Sequence, residues 1–204
     1  MTDLKALSRR ILEEMPPETR FQQEDARLLA QHADLILARA DELARGFYDV
    51  LFAHPPTARV FREGERPERE AALKRWLEVT LRGPVDENYW AWQAWVGLIH
   101  ALRGVSNPMM IAMWSWALSA VGNLLSQLVE EGEVAPGDAA RLLQAFHRLA
   151  ATATALISES YLEHYLEAIG SATGADRELL DRLVRIEIER LREAKERYVP
   201  RPET

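Results

Sequence analysis

The chain has no cysteine among its 204 residues. Disulfides, thiolate nucleophiles, iron–sulfur clusters and cysteine-ligated zinc are therefore excluded. It also lacks a basic excess: 25 Lys and Arg stand against 32 Asp and Glu, for a net charge of -7. With no long basic tract, such a chain is a poor partner for nucleic acid. There is no Walker loop, no Gly-x-Gly-x-x-Gly, no Gly-x-Ser-x-Gly elbow and no His-Glu-x-x-His, so the best-marked nucleotide, esterase and zincin sites are absent. The residues three before the five histidines are Leu29, Leu51, Gly97, Gln144 and Tyr161. None is acidic, which removes the Glu-x-x-His pairs of di-iron bundles. The opening MTDLKALSRRILEEM has no apolar centre of the secretory kind, and a cytoplasmic protein is expected.

Charge is missing from one long stretch, Gly104 to Val129, which is long enough to span a bilayer. Ser115, Ser119, Asn123 and Ser126 recur along it at helical spacing, a polar stripe that a lipid-facing helix does not need, and no Lys/Arg cluster flanks it. The reading is a helix buried among helices, with no membrane partner. What is present agrees. Helix formers dominate and alternating β-branched runs are missing. Helices are predicted near 3–14, 23–53 (two, with a bend), 66–82, 86–103, 107–130, 136–169 and 175–198. Pro16-Pro17, His54-Pro55-Pro56 and Gly83-Pro84 punctuate them, Asn107-Pro108 reads as a cap with proline at the first helical position, and Gly170 to Gly174 reads as a loop. The fold class is all-α. Helix 107–130, without charge up to Val129, and helix 136–169, whose centre from Leu149 to Ser158 is uncharged, need cover on most sides, either as the domain's central hairpin or as the interface of a homodimer. In the last helix Leu180, Leu183, Val184, Ile188 and Leu191 make a narrow apolar strip, which can pack on the domain or begin a coiled coil.

Polar catalytic constellations are thin, and apolar space, aromatics and a few histidines remain. His100 closes YWAWQAWVGLIH, with Val96 and Gly97 one turn before it on the same face. Gly97 removes bulk where something flat could approach. A neutral imidazole on an apolar face is either an ordinary core histidine or a ligand to a metal whose other ligands come from elsewhere. Haem is such a group, since the porphyrin brings four nitrogens and asks for one axial ligand and an apolar slot. His147, beside Leu143, Phe146 and Ala150, is the reserve ligand, while His32, His54 and His164 read as surface or helix-end residues.

The runs LKRWLEVTLRG, PVDENYWAWQAWVGLIH and GVSNP, together with ARGFYDVLFAHPPTARVF and FQQEDARLL upstream, resemble protoglobins and the globin domains of globin-coupled sensors over about residues 20–168. Tyr48, Phe61, His100 and Pro108 occur in the family's order at matching separations. The resemblance implies a globin-like helical sandwich over 21–170, an extra N-terminal helical segment over 1–20, and a charged C-terminal helix and tail over 171–204. It implies haem b held by His100 as axial ligand to iron, with Val96, Gly97 and Pro108 nearby and Phe61 as the haem wedge. Tyr48, Ala72, Leu73 and Trp76 cover the opposite face, and Arg62 or Arg69 meets the propionates. Met110 and Ile111 stand where many relatives have Trp-Tyr, Ala72 stands where some sensors have threonine, and no output module follows.

The function this implies is reversible binding of O2, CO or NO, for sensing or scavenging, in a homodimer through helices 107–130 and 136–169. The rivals are a haem enzyme on the same fold, acting on peroxide or nitric oxide, and a haem-free helical interaction module. With no distal His or second acid–base group evident, gas binding is favoured over turnover.

Overall fold

The structure is a computed structural model that describes residues 3–193. Every regular element among these residues is helical: α1 (Leu4–Glu14), α2 (Gln23–Gln31), α3 (Ala33–Leu37), α4 (Ala40–Ala53), α5 (Pro55–Ala58), α6 (Arg66–Arg82), α7 (Glu87–Leu102), α8 (Asn107–Glu130), α9 (Pro136–Thr173) and α10 (Arg177–Glu193), with one 3-10 turn at Pro17–Thr19. The chain divides into two compact units, the first ending at Ser160 and the second starting at Tyr161, within α9.

Local chemistry sets the starts. The Asp3 carboxylate accepts the backbone N–H of Lys5 at 2.9 Å, opening α1. Gln22 and Asp25 form a capping box at α2, and the Asp86 carboxylate accepts the N–H groups of Asn88 and Tyr89 at 2.9 and 3.0 Å, opening α7. Four expectations are corrected. The span 23–53 is three helices, broken at His32 and at Ala38–Arg39. Pro55 and Pro56 end α4 but also start the one-turn α5, because a first turn tolerates proline's missing N–H. The cap of α8 is Ser106; Asn107 is its first helical residue, Pro108 its second, and the Asn107 carboxamide oxygen accepts from the Ser158 hydroxyl at 3.4 Å. Finally, α9 runs through Gly170 and stops only at Thr173, where Gly174 takes φ +74°. The helix predicted to reach 198 passes beyond the described residues.

In the first unit, one core gathers α1 (Leu7, Ile11), α2 and α3 (Leu29, Ile36), Leu81 of α6, Tyr89 and Trp90 of α7, α8 (Leu124, Leu128) and α9 (Leu142, Leu149, Leu156). Each fully buried Leu or Ile contributes roughly 1.5–3 kcal/mol relative to exposure. The N-terminal helix is thus part of this unit: it lies along α7, with Arg9 paired to Glu87 at 2.7 Å. A polar knot pins the chain before α2 to α9, where Phe21 N–H donates to Thr152 Oγ1 at 2.8 Å and Arg148 meets Asp25 through two nitrogens, one at 2.9 Å and one at 2.5 Å.

A second, smaller cluster is separate. Tyr48, Leu51 and Met113 are buried there, with Phe47, Phe52, Phe61, Leu73 and Trp116 packed around them. It sits where α4 meets α5, α6 and α8. α8 is the one helix among the described residues long and apolar enough to cross a membrane, and Met110, Met113, Leu124, Leu125 and Leu128 are buried within the protein. Its outward stripe of Ala112, Ser115, Ser119, Asn123 and Ser126 is exposed and uncharged.

In the second unit, α10 follows the end of α9 after a short turn. The Ala175 carbonyl oxygen lies where a Cβ on Gly170 would be only 2.8 Å away, and Arg177 pairs with Glu163 at 2.9 Å and Asp181 at 3.1 Å. Leu183, Val184, Ile188 and Leu191 remain about half exposed along α10.

Candidate functional site

His100 stands on the last turn of α7. The helix closes by a Schellman motif. Gly104 takes φ +75°, its N–H donates to the Ala101 carbonyl at 3.0 Å, and the Val105 N–H donates to the His100 carbonyl at 2.9 Å. The backbone that carries the ring is therefore fixed. The ring itself is largely withdrawn from water, and its Nδ1 is buried with no hydrogen-bond partner. Burial, with a smaller push from the Arg103 guanidinium, holds the imidazole below its ordinary pKa. At neutral pH the ring is neutral, with a lone pair free on one nitrogen. Such a group inside a protein is costly unless something satisfies it.

The other side chains fall into two groups. Tyr48 and Phe61, thirteen residues apart, meet edge to face with centroids 5.8 Å apart, and Leu73 joins them in the second cluster. They meet because the Pro55-Pro56 turn folds α5 back toward α4. Gly46 permits it, since a Cβ there would lie 3.0 Å from the Trp116 ring that backs this cluster. Burial pushes the Tyr48 hydroxyl up to about 12, against the pull of Arg69 and Arg103, so it keeps its proton and stays a donor. Trp76, half-buried, belongs to the larger core. Its indole N–H donates to Gln93 Oε1 at 3.2 Å and its ring meets Trp114 edge to face at 5.7 Å. Thr80 and Tyr89 share a hydrogen bond at 3.0 Å next to that pair. Val96 is half-buried.

Three expected members stand elsewhere. Gly97 is buried, but its open side faces α9: an added Cβ would be 2.8 Å from both the Cα and the carbonyl oxygen of Ile157. Its smallness admits a neighbouring helix, where the sequence reading had it admit something flat. Ala72 is exposed on α6, and Pro108 is exposed at the start of α8. His147, the reserve ligand, is exposed and drops out as a buried one, and His54 is exposed as well. His32 Nδ1 meets the Leu28 carbonyl at 3.1 Å, the expected helix-end role.

Sequence reasoning missed a polar group at the end of α7. Arg103, one turn after His100, reaches Glu65 Oε2 at 2.5 Å and the Val60 carbonyl at 3.4 Å, with its guanidinium 6.0 Å over the Phe61 ring. Arg69 of α6 approaches the other oxygen of Glu65 at 3.3 Å. The helical spacing of His100 and Arg103 was the available signal. Gln93 was also missed. It is fully buried between Trp76 and Tyr89, with Nε2 lacking a partner. Among the described residues, buried side-chain atoms without a hydrogen bond thus include His100 Nδ1 and Gln93 Nε2 on α7, and Arg69 Nε on α6, which keeps only its ion-pair approach to Glu65. Also among the described residues, no three His, Cys, Asp or Glu side chains gather to hold an ion. A metal on His100 must therefore arrive with its other ligands.

These groups stand on α6 and α7, between the helices α2 to α5 and the long α8 and α9. The fold is shared with the crystal structure of the globin domain of E. coli DosC in a ferric form, with a TM-score of 0.55 and 14% identity over 76% of this chain and 97% of that one. No curated protein sequence matches. The sequence model of the Protoglobin family matches residues 12–167. The chain belongs to the Protoglobin family and is a globin-type haem protein. The residues present fit that group: a neutral, unsatisfied imidazole to bind iron, an apolar cluster with a phenylalanine, and a protonated buried tyrosine.

Proposed function

We propose that the protein holds haem b through His100 and takes up diatomic gases, O2, CO or NO, reversibly for sensing or scavenging. The observation that carries this reading is the half-buried imidazole of His100, neutral and with a buried, orphaned Nδ1, in a chain of this family. When bound, haem supplies an iron that needs one protein ligand and keeps one position for a gas. His100 provides that ligand from a backbone fixed by the α7 cap. Phe61 and Leu73 give apolar contact, Val96 and Trp76 border the same pair of helices, and Tyr48 holds a hydroxyl donor in surroundings that exclude water. The haem-binding part is taken as 21–170, in a cytoplasmic protein.

The outward stripe of α8, uncharged and exposed, supports a homodimer through α8 and α9. Sedimentation showing a monomer at high concentration would remove that assembly. The test of the central reading is the absorption spectrum of the protein supplied with haem, oxidised and reduced, with and without CO. A Soret band and a CO-shifted ferrous spectrum are expected for the wild type, and His100→Ala should lose stoichiometric haem. A His100→Ala protein that retains haem with unchanged ferrous spectra rejects the assignment.

A further inference from the structure

Two cations from two different helices converge on one carboxylate at the end of α7. Arg69 lies one turn before Leu73 on α6, and Arg103 lies one turn after His100 on α7. Glu65, whose side chain is only 10% exposed, stands between them at 3.3 and 2.5 Å. Both arginine side chains are about three-quarters covered. Arg69 also meets Glu68 at the exposed rim, while its buried Nε faces Glu65 Oε1 at 3.3 Å without closing a hydrogen bond. Of the two pairs with Glu65, that of Arg69 is therefore the looser, and without the exposed Glu68 the group carries one positive charge in excess. Two guanidiniums held side by side by one acid are a seat cut for carboxylate, since their fork geometry accepts bidentate oxygen pairs. Both arginines act on the Tyr48 hydroxyl and Arg103 covers Phe61, so the seat borders the cluster where haem is proposed. Arg62, the cation the sequence first offered, is exposed, and its backbone N–H donates to Glu65 Oε2 at 2.9 Å while its carbonyl accepts the Glu65 N–H at 3.2 Å.

We propose that Arg69 and Arg103 are the binding seat for the carboxylate groups at the rim of the haem, and that Glu65 is an internal carboxylate that occupies the seat until those groups compete for it. This rests on the haem reading above. Exchange of one carboxylate for another leaves the number of ion pairs nearly unchanged. The arginines therefore add selectivity for the acid form of the porphyrin and modest affinity, and Glu65 subtracts from it.

The apo chain is titrated with haemin and with haemin dimethyl ester, in which both acids are masked, and the Soret band is followed. On the wild type the ester should bind about tenfold more weakly. Glu65→Gln should bind haemin several-fold more tightly with little change for the ester. Arg103→Gln and Arg69→Gln should weaken haemin several-fold and spare the ester. Equal affinities for haemin and ester on the wild type overturn the proposal without recourse to any variant, and so does a Glu65→Gln protein that binds both as the wild type does. A wild type that binds no haemin, or that binds it equally well after His100→Ala, overturns the haem reading and this proposal with it. Haemin bound through His100 without preference over its ester overturns this proposal alone.

Discussion

Replacing Gly97 by alanine tests the close crossing that fixes α7, and with it His100. An added Cβ would sit 2.8 Å from two backbone atoms of Ile157, while ordinary contact begins near 3.4 Å. Backbone cannot swing aside as a side-chain tip can, so α7 and α9 must part by about half an ångström. Overpacking of this kind costs about 1–3 kcal/mol, against a helix-propensity gain of about 1 kcal/mol for Gly to Ala. With two backbone atoms in the way the steric cost falls in the upper part of that range, about 2–3 kcal/mol, and a net loss of about 1–2 kcal/mol is expected. For a unit of this size that lowers Tm by about 2–8 °C. Gly122→Ala is the counter-measurement. It stands within α8, where the nearest foreign atom to its Cβ is a Leu143 methyl at 3.9 Å, so propensity acts almost alone and stability should rise by about 0.5–1 kcal/mol. Thermal unfolding of both variants, followed by circular dichroism at matched concentration, decides the matter. A Gly97→Ala chain as stable as the wild type, beside a Gly122→Ala chain that gains as expected, would refute the crossing.

Three more outcomes are expected. Arg148→Ala leaves the Asp25 carboxylate, 6% exposed, without its partner and should cost about 2–4 kcal/mol; urea unfolding within 0.5 kcal/mol of the wild type contradicts this. Tyr48→Phe removes a buried hydroxyl donor and should change the oxygen dissociation rate of the haem-loaded protein by several-fold to about a hundredfold, the effect of a hydrogen bond of about 1–3 kcal/mol; identical rates by flash photolysis take Tyr48 out of the site. Glu65, held down to about 2 by the hydrogen bond from Arg103 and the Arg62 N–H, is depressed from an ordinary 4.5. Between these values the unfolded chain binds more protons, so the stability Glu65 contributes is complete above about pH 4.5 and is lost as pH falls toward 2. The stability gap between wild type and Glu65→Gln should therefore close across that window, and a gap as wide at pH 2.5 as at pH 6 disproves the pairing.

The long helices were legible because their signals are local. Asp86 and Gly83-Pro84 bound α7 and α6, and the uncharged run of α8 follows from composition alone. His100, Tyr48 and Phe61 could be singled out by order and spacing, and the structure brings Tyr48, Phe61 and Leu73 into one cluster. What failed was what depends on the partner across space. Gly97 reads the same whether a ring or a helix approaches it, and only the path of α9 decides. Ala72 and Pro108 lie at the family's intervals along the chain, and their exposure follows from the rotation of α6 and the start of α8, which spacing does not reveal. The ion pair of Glu65 with Arg103 spans 38 residues, and no periodicity announces a contact of that separation. The three-way division of 23–53 was hidden because His32 and Arg39 are not helix breakers in themselves.

The carbonyl of His100 receives two N–H groups, from Arg103 at 3.2 Å and from Val105 at 2.9 Å. The main chain at the ring's root is thus tethered to the corner that leads into α8, and only two side-chain torsions are left for adjustment. A displacement of the imidazole larger than those two torsions absorb is passed to that corner, a few residues before the start of α8.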